Sequence, residues 1–253
     1  MNILNTLRNR QREGKKSIAV LIDPDKVEDS AKLQYLINLA NENCVDFFLV
    51  GGSLVTTPNL SEVIRQIKSN VTIPVMLFPG NSMQIDPHAD ALLFLSLISG
   101  RNPELLIGQH VISAPIIRNT KLEVIPTGYM LINSGRTTSV AYISNTTPIP
   151  EDKYSLAACT AMAGEMLGLQ AIYMDAGSGA ENAISARMIS TVRKAVKTPI
   201  IIGGGLNTSR KAITALEAGA DMIVIGNALE KNPDLLIEIS DKVYEWNQRS
   251  IVD

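Results

Sequence analysis

Five short stretches of the chain carry groups able to do chemistry. Asp23, in LIDPDK, offers a carboxylate, and Gly51-Gly52-Ser53 offers a hydroxyl behind two glycines. Tyr173-Met174-Asp175-Ala176-Gly177-Ser178-Gly179 sets a phenol two residues before a carboxylate and runs into a glycine turn. Gly203-Gly204-Gly205 and Gly226-Asn227 add two more glycine turns. Glycine lets the backbone come close to an anion, and successive N–H groups form a concave nest. A helix starting after Asn227 would add its own N-terminal donors. One such turn only closes a strand. Three of them point to a ligand carrying phosphate, held by amides instead of a basic patch.

Each carboxylate has two readings. Asp23 can cap a helix that begins at Pro24, a role open to Asp25 as well. It can also be an oxygen ligand for a hard divalent cation, Mg2+ bearing a second phosphate group, with Ser53 helping directly or through water. Asp175 beside a phosphate nest would repel the anion unless it accepts a proton from the same ligand. Tyr173 falls on the same side of a strand and can hydrogen-bond that ligand. The alternative for this pair is a satisfied polar layer in the core. His88 and His110 read as surface or supporting groups. With Cys44 and Cys159 they are too few and too scattered for zinc, and the cysteines read as fillers of small apolar gaps in a reducing compartment.

The elements that must position these groups are short, almost continuously apolar runs: SIAVLI from Ser17, DFFLV from Asp46, IPVMLF from Ile73, ALLFLS from Ala91, LEVIPTGYMLI from Leu122, QAIYMD from Gln170, TPIIIG from Thr198 and DMIVIG from Asp221. Runs without alternation suit parallel strands buried on both faces. Between them, segments from Ser30, Leu60, Ser185 and Thr208 space apolar residues as helices do, the last ending at Gly219. Eight such units predict a (β/α)8 barrel, one domain over 1–253 with a short N-terminal helix. A doubly wound open sheet is the alternative, disfavoured because no GxGxxG follows the first strand. The chemical stretches then fall at the C-terminal strand ends, where barrels carry their sites. Two segments break the pattern and read as long substrate-serving loops: Leu97 to Lys121, with Pro103 and Pro115, and Asn133 to Asp152.

The 253 residues carry 23 basic and 25 acidic side chains, a net charge of −2, and 4% aromatics. That leaves neither the basic face nor the stacking platforms of a nucleic-acid binder. The start has no secretory pattern and no run would span a bilayer, so a cytoplasmic protein is expected.

The motifs resemble the geranylgeranylglyceryl phosphate synthase family and the related heptaprenylglyceryl phosphate synthases. The resemblance is carried by LIDPDK from Leu21, GGS from Gly51, SLISGRNPELLIGQH from Ser96, YMDAGSGA from Tyr173, IIGGG from Ile201 and VIGN from Val224. It implies a modified TIM barrel whose third helical unit is degenerate. It also implies transfer of a prenyl group from its diphosphate to the 3-hydroxyl of sn-glycerol 1-phosphate, with Mg2+ present, giving an archaeal-type ether lipid precursor. Asp23 and Ser53 would hold the metal. Tyr173 to Gly179, Gly203 to Gly205 and Gly226-Asn227 would hold glycerol phosphate, with Asp175 as base where family members commonly carry Glu. A C20 tail needs an apolar channel, for which Phe94, Leu97, Ile98, Tyr129 and Ile132 are candidates, each equally readable as core. A homo-oligomer (dimer or hexamer) and a peripheral membrane contact for the product complete the expectation. Two rival readings use the same nest: a phosphosugar isomerase or lyase with Asp23 and Asp175 as acid–base pair, and a flavin-phosphate barrel without transferase activity.

Overall fold

All eight apolar runs form strands, and each pairs in parallel with the next until β8 meets β1 and closes the barrel. The computed structural model describes residues 2–27 and 29–249, so the outermost residues of the domain expected over 1–253 lie outside it. The strands are β1 (Ser17–Ile22), β2 (Phe47–Val50), β3 (Val75–Leu77), β4 (Ala91–Leu97), β5 (Glu123–Leu131), β6 (Ala171–Asp175), β7 (Ile200–Gly203) and β8 (Met222–Ile225). Helices α1 (Ile3–Arg12), α2 (Ser30–Glu42), α3 (Leu60–Asn70), α4 (Gln109–Arg118), α5 (Ser139–Ser144), α6 (Tyr154–Met166), α7 (Ala186–Ala195), α8 (Ser209–Glu217), α9 (Asn227–Lys231) and α10 (Leu235–Arg249) surround them.

Because side chains alternate along a strand, the apolar runs divide into two cores. Ala19, Phe47, Leu49, Met76, Leu93, Ile125, Tyr129, Tyr173, Ile201 and Val224 fill the barrel. Val20, Phe48, Leu77, Met130, Ile172, Met174, Ile202 and Ile223 face the helices. The bottom is closed by α1, whose Ile3 and Leu7 join the inner core. The Glu123 carboxylate accepts the Ile3 and Leu4 N–H groups at 2.6 and 2.9 Å, satisfying donors that a helix start leaves open.

The regular pattern fails between β3 and β4. There the only helical piece is a single turn at Ser82–Gln84, so the third unit is indeed degenerate. The segment after β4, expected as a long loop, is instead largely helical: a π-helical turn at Glu104–Gly108 runs into α4. Pro115 sits inside α4, and the carbonyl it leaves unpartnered, on Val111, lies on the solvent side where water can satisfy it. The second expected loop also carries a short helix, α5. Both cysteines are exposed, not gap fillers. Cys44 turns the chain out of α2 at φ +52°, and Cys159 lies on the solvent face of α6.

Candidate active site

The strand ends form two joined chambers at the barrel top. The first is an anion cleft lined by Asp23, Lys26, Ser53, Arg136, Asp175, Gly177 to Gly179, Gly204, Gly205 and Gly226-Asn227, among others. The second is an apolar cavity bounded by Phe78, Pro79, Leu93, Phe94, Leu97, Leu105, His110, Ser113, Ile117 and Tyr129. Gly52, Ser53, Phe78 and Ile143 border both.

Within the cleft, Asp175 is the best-held charge. Its Oδ2 accepts the Tyr129 hydroxyl at 2.5 Å and its Oδ1 accepts the Gly177 N–H at 2.7 Å. Burial raises its pKa, and these two hydrogen bonds pull it part of the way back. The phenols of Tyr129 and Tyr173 are pushed well above their ordinary value, by burial first and then by the Asp175 charge. Both therefore stay protonated, and Tyr129 is the donor. Tyr173 stacks on Phe78 at 4.9 Å between ring centroids, and Tyr129 completes the cluster at 5.6 Å from Tyr173.

The glycines are needed where the backbone turns beneath this carboxylate. Gly204 has φ +78°, and a Cβ there would come within 2.7 Å of both Asp175 Oδ1 and the Gly177 nitrogen. Across the cleft, Asn227 Nδ2 donates to Ser178 Oγ at 2.9 Å, joining the β8 and β6 turns. Arg136 donates to the Gly179 carbonyl. Three residues of the proposed cradle do not line it. Met174 and Ala176 point to the outer core by strand alternation, and Gly203 is covered by the Tyr173 hydroxyl.

Opposite, Asp23 accepts the Asp25 N–H at 3.2 Å, so it does cap the turn after β1. Its other oxygen lies 3.8 Å from Lys26 Nζ. Burial raises its pKa, with Lys26 opposing. The Gly52 backbone lies against the carboxylate. That loop is pinned by Gln84, which accepts the Gly52 and Gly80 N–H groups and donates to the Gly52 carbonyl. Asp25 pins it further along: the Thr57 hydroxyl and the Thr56 and Thr57 amides hold that carboxyl at a pKa of about 2. The donor set suits Mg2+. No group of three or more His, Cys, Asp or Glu forms a metal cage among the described residues, and Mg2+ ordinarily needs only one or two carboxylates plus substrate phosphates. Asp23 has lone pairs to spare, with the Ser53 hydroxyl on the same wall.

In the apolar cavity the expected lining holds for Phe94, Leu97 and Tyr129. It fails for two residues: Ile132 lies in the outer core, and Ile98 packs over Gly128 and Gly164. Leu93 and Leu97 face inward while Leu92 and Phe94 face outward. The cavity therefore leaves the barrel and runs between β4 and α4. His110 meets Phe94 edge-on at 4.5 Å and lines the cavity itself, where a surface or supporting place was expected. His88 binds Asp86 at 2.8 Å, away from the cleft.

Four residues of this site escape sequence reasoning as functional groups: Tyr129 as the partner of Asp175, Gln84, Arg136 and Lys26. Only Lys26 had a signal, as the one cation within the acidic IDPDK turn.

The PcrB family profile matches residues 10–244. Geranylgeranylglyceryl phosphate synthase of Spirosoma linguale is 56% identical over 97% of this chain and 98% of its own length. The Chitinophaga pinensis protein of the same name is 54% identical over 96% of each. A crystal structure of (S)-3-O-geranylgeranylglyceryl phosphate synthase from Thermoplasma acidophilum, in complex with its substrate sn-glycerol-1-phosphate, superposes with a TM-score of 0.90 at 30% identity, covering 97% of this chain and 99% of that one.

Proposed function

The chain belongs to the PcrB family, and from that premise we infer that it is a prenyltransferase, joining C1 of geranylgeranyl diphosphate to the 3-hydroxyl of sn-glycerol 1-phosphate as an ether and releasing diphosphate. One observation carries the reading in this molecule. A polar cleft and an apolar cavity meet at Phe78 and Ser53, with Asp175 on the cleft side and its partner Tyr129 on the cavity side.

Glycerol phosphate is placed by the turns of Gly177 to Gly179, Gly204-Gly205 and Asn227, with its 3-hydroxyl toward Asp175. Fixing both partners removes the entropic cost of their meeting. The prenyl tail lies in the cavity, where each buried methylene stabilises binding by about 0.8 kcal/mol. Asp23 and Ser53 would hold Mg2+, which would supply charge neutralisation for the leaving diphosphate. As the C1–O bond to diphosphate breaks, its electron pair leaves with the diphosphate. The glycerol oxygen forms the new bond to C1, and Asp175 Oδ takes its proton. Tyr129 keeps that carboxylate turned toward the hydroxyl throughout. No helix of the described residues is long and apolar enough to cross a membrane. We also propose self-association, since α4 and the turn before it expose Ile107, Val111, Ile112 and Ile116.

Incubation with radiolabelled sn-glycerol 1-phosphate and a ladder of prenyl diphosphates tests the reading. A labelled ether lipid should form with Mg2+ and stop with EDTA. Equal use of sn-glycerol 3-phosphate would overturn it.

A further inference from the structure

One cation stands between the two anion positions without a role so far. Lys26 ends the turn after β1, and its Nζ lies 2.6 Å from Asn227 Oδ1, 3.2 Å from Glu230 Oε1 and 3.8 Å from Asp23 Oδ2. These oxygens belong to opposite halves of the site. Asp23 is on the metal side, and Asn227 and Glu230 are on the glycerol phosphate side. The bridge is a product of barrel closure: β1 pairs with β8, so the turns that follow them are neighbours although their residues are 201 apart.

The contact to Asn227 also sets an orientation. With Oδ1 committed to the ammonium, the amide nitrogen must face the other way, and it does, donating to Ser178 Oγ at 2.9 Å. A string therefore runs from Asp23 through Lys26 and Asn227 to Ser178, across the floor of the cleft. Two ligands with several negative charges must sit at its two ends at once. Their repulsion opposes simultaneous binding unless a positive charge lies between them. Arg136 and Lys231 also line the cleft, but Arg136 is engaged with the Gly179 carbonyl, and it is Lys26 that reaches both halves.

We propose that Lys26 is a positioning residue that couples the two anion subsites, so that occupation of the diphosphate side strengthens the hold on glycerol phosphate. A cation held by Asp23 would engage the carboxylate that makes the ammonium's longest contact, leaving Lys26 its contacts to Asn227 and Glu230. The same factor must appear in reverse, since coupling between two binding equilibria is reciprocal. This rests on the reading that Asp23 takes the metal and the glycine turns take glycerol phosphate.

Calorimetric titration of sn-glycerol 1-phosphate tests it, with and without Mg2+ and inorganic pyrophosphate, so that no turnover occurs. The quantity read is the ratio of the two dissociation constants, for wild type, Lys26→Met and Lys26→Arg. Wild type should favour binding with Mg2+-pyrophosphate by a ratio at least about fivefold larger than that of Lys26→Met. Lys26→Arg, which keeps the charge, should fall near wild type. A melting curve checks that Lys26→Met is folded, and Lys26→Gln serves as a second neutral variant. Equal ratios in wild type and both neutral variants overturn the coupling while leaving the function standing. Failure of wild type to bind glycerol phosphate in either buffer removes the function reading and the coupling with it.

Discussion

Over β6, β7 and β8 the barrel is regular, with strand, glycine turn and helix repeated. Over β3 and β4 it is not, because one helix is reduced to the turn at Ser82–Gln84 and the next begins with a π-helical turn. The first region makes the anion cleft, and its recognition groups are largely backbone amides brought close by the absence of side chains. The second makes the apolar cavity, beside the single turn that stands where a helix would be, walled by α4 and the turn before it through Leu105, His110, Ser113 and Ile117. On the proposed function, the same fold would bind a small anion by regularity and a long hydrocarbon by a local defect. Irregular helical turns of this kind recur at functional sites, and here the irregularity supplies room.

The comparison breaks most severely at the boundary between the chambers. Asp175→Asn keeps the shape, and its amide oxygen can still accept the Gly177 N–H while its NH2 turns to the Tyr129 hydroxyl, but it removes the base. Turnover should fall about 10²- to 10⁴-fold, with the KM for glycerol phosphate little changed, as steady-state kinetics would show. A loss under about tenfold would mean that the proton leaves by another route.

On the cleft side, Gly204→Ala should act through the backbone. Alanine at φ +78° costs about 1–2 kcal/mol, and its methyl would press on Asp175 Oδ1. Glycerol phosphate affinity should drop roughly tenfold or more, while affinity for the prenyl diphosphate barely moves. A variant that weakens both equally would show that the chambers are not separable.

The cavity side gives the converse. Ser113 is a buried residue of α4 on the cavity wall, and Ser113→Phe would fill part of the tail space. Each methylene kept from burial costs about 0.8 kcal/mol, roughly fourfold in affinity. A ladder of prenyl diphosphates should therefore shift its optimum to shorter chains, with the KM for glycerol phosphate unaltered.

This division also explains what was legible in the sequence. The eight strands were, because buried parallel strands leave continuous apolar runs such as SIAVLI and TPIIIG. The anion side was, because glycine at Gly177, Gly204 and Gly205 signals a positive φ by residue type alone. The cavity was not. Whether Phe94 or Leu93 faces the lipid depends on strand alternation together with the direction in which α4 leans, and neither leaves a mark in composition. Ile98 and Ile132 looked as suitable as Leu97 and face elsewhere. Pro103 and Pro115 read as loop, yet Pro115 is tolerated inside a helix, where Val111 four residues earlier is exposed to water. Gln84 and Tyr129 act on residues far away in sequence, Gly52 and Asp175, so no local pattern announces them.

The finest separation concerns two tyrosines of one aromatic cluster. Tyr129 and Tyr173 are both buried, both protonated, and 5.6 Å apart. Only Tyr129 hydrogen-bonds Asp175, and that bond lowers the carboxyl's pKa against the upward push of burial. The base must be ionised to act, so activity rises with pH as Asp175 loses its proton. Tyr129→Phe removes a lowering influence. The acid limb of the kcat profile should then move to higher pH, with the rate recovering toward wild type on the alkaline side. Tyr173→Phe loses a ring hydroxyl from the same cluster but none of Asp175's hydrogen bonds, so its limb should stay in place while the KM for glycerol phosphate rises. If both variants shifted the limb alike, the polarity of the cluster as a whole, and not one directed bond from the cavity side, would be setting the strength of the base.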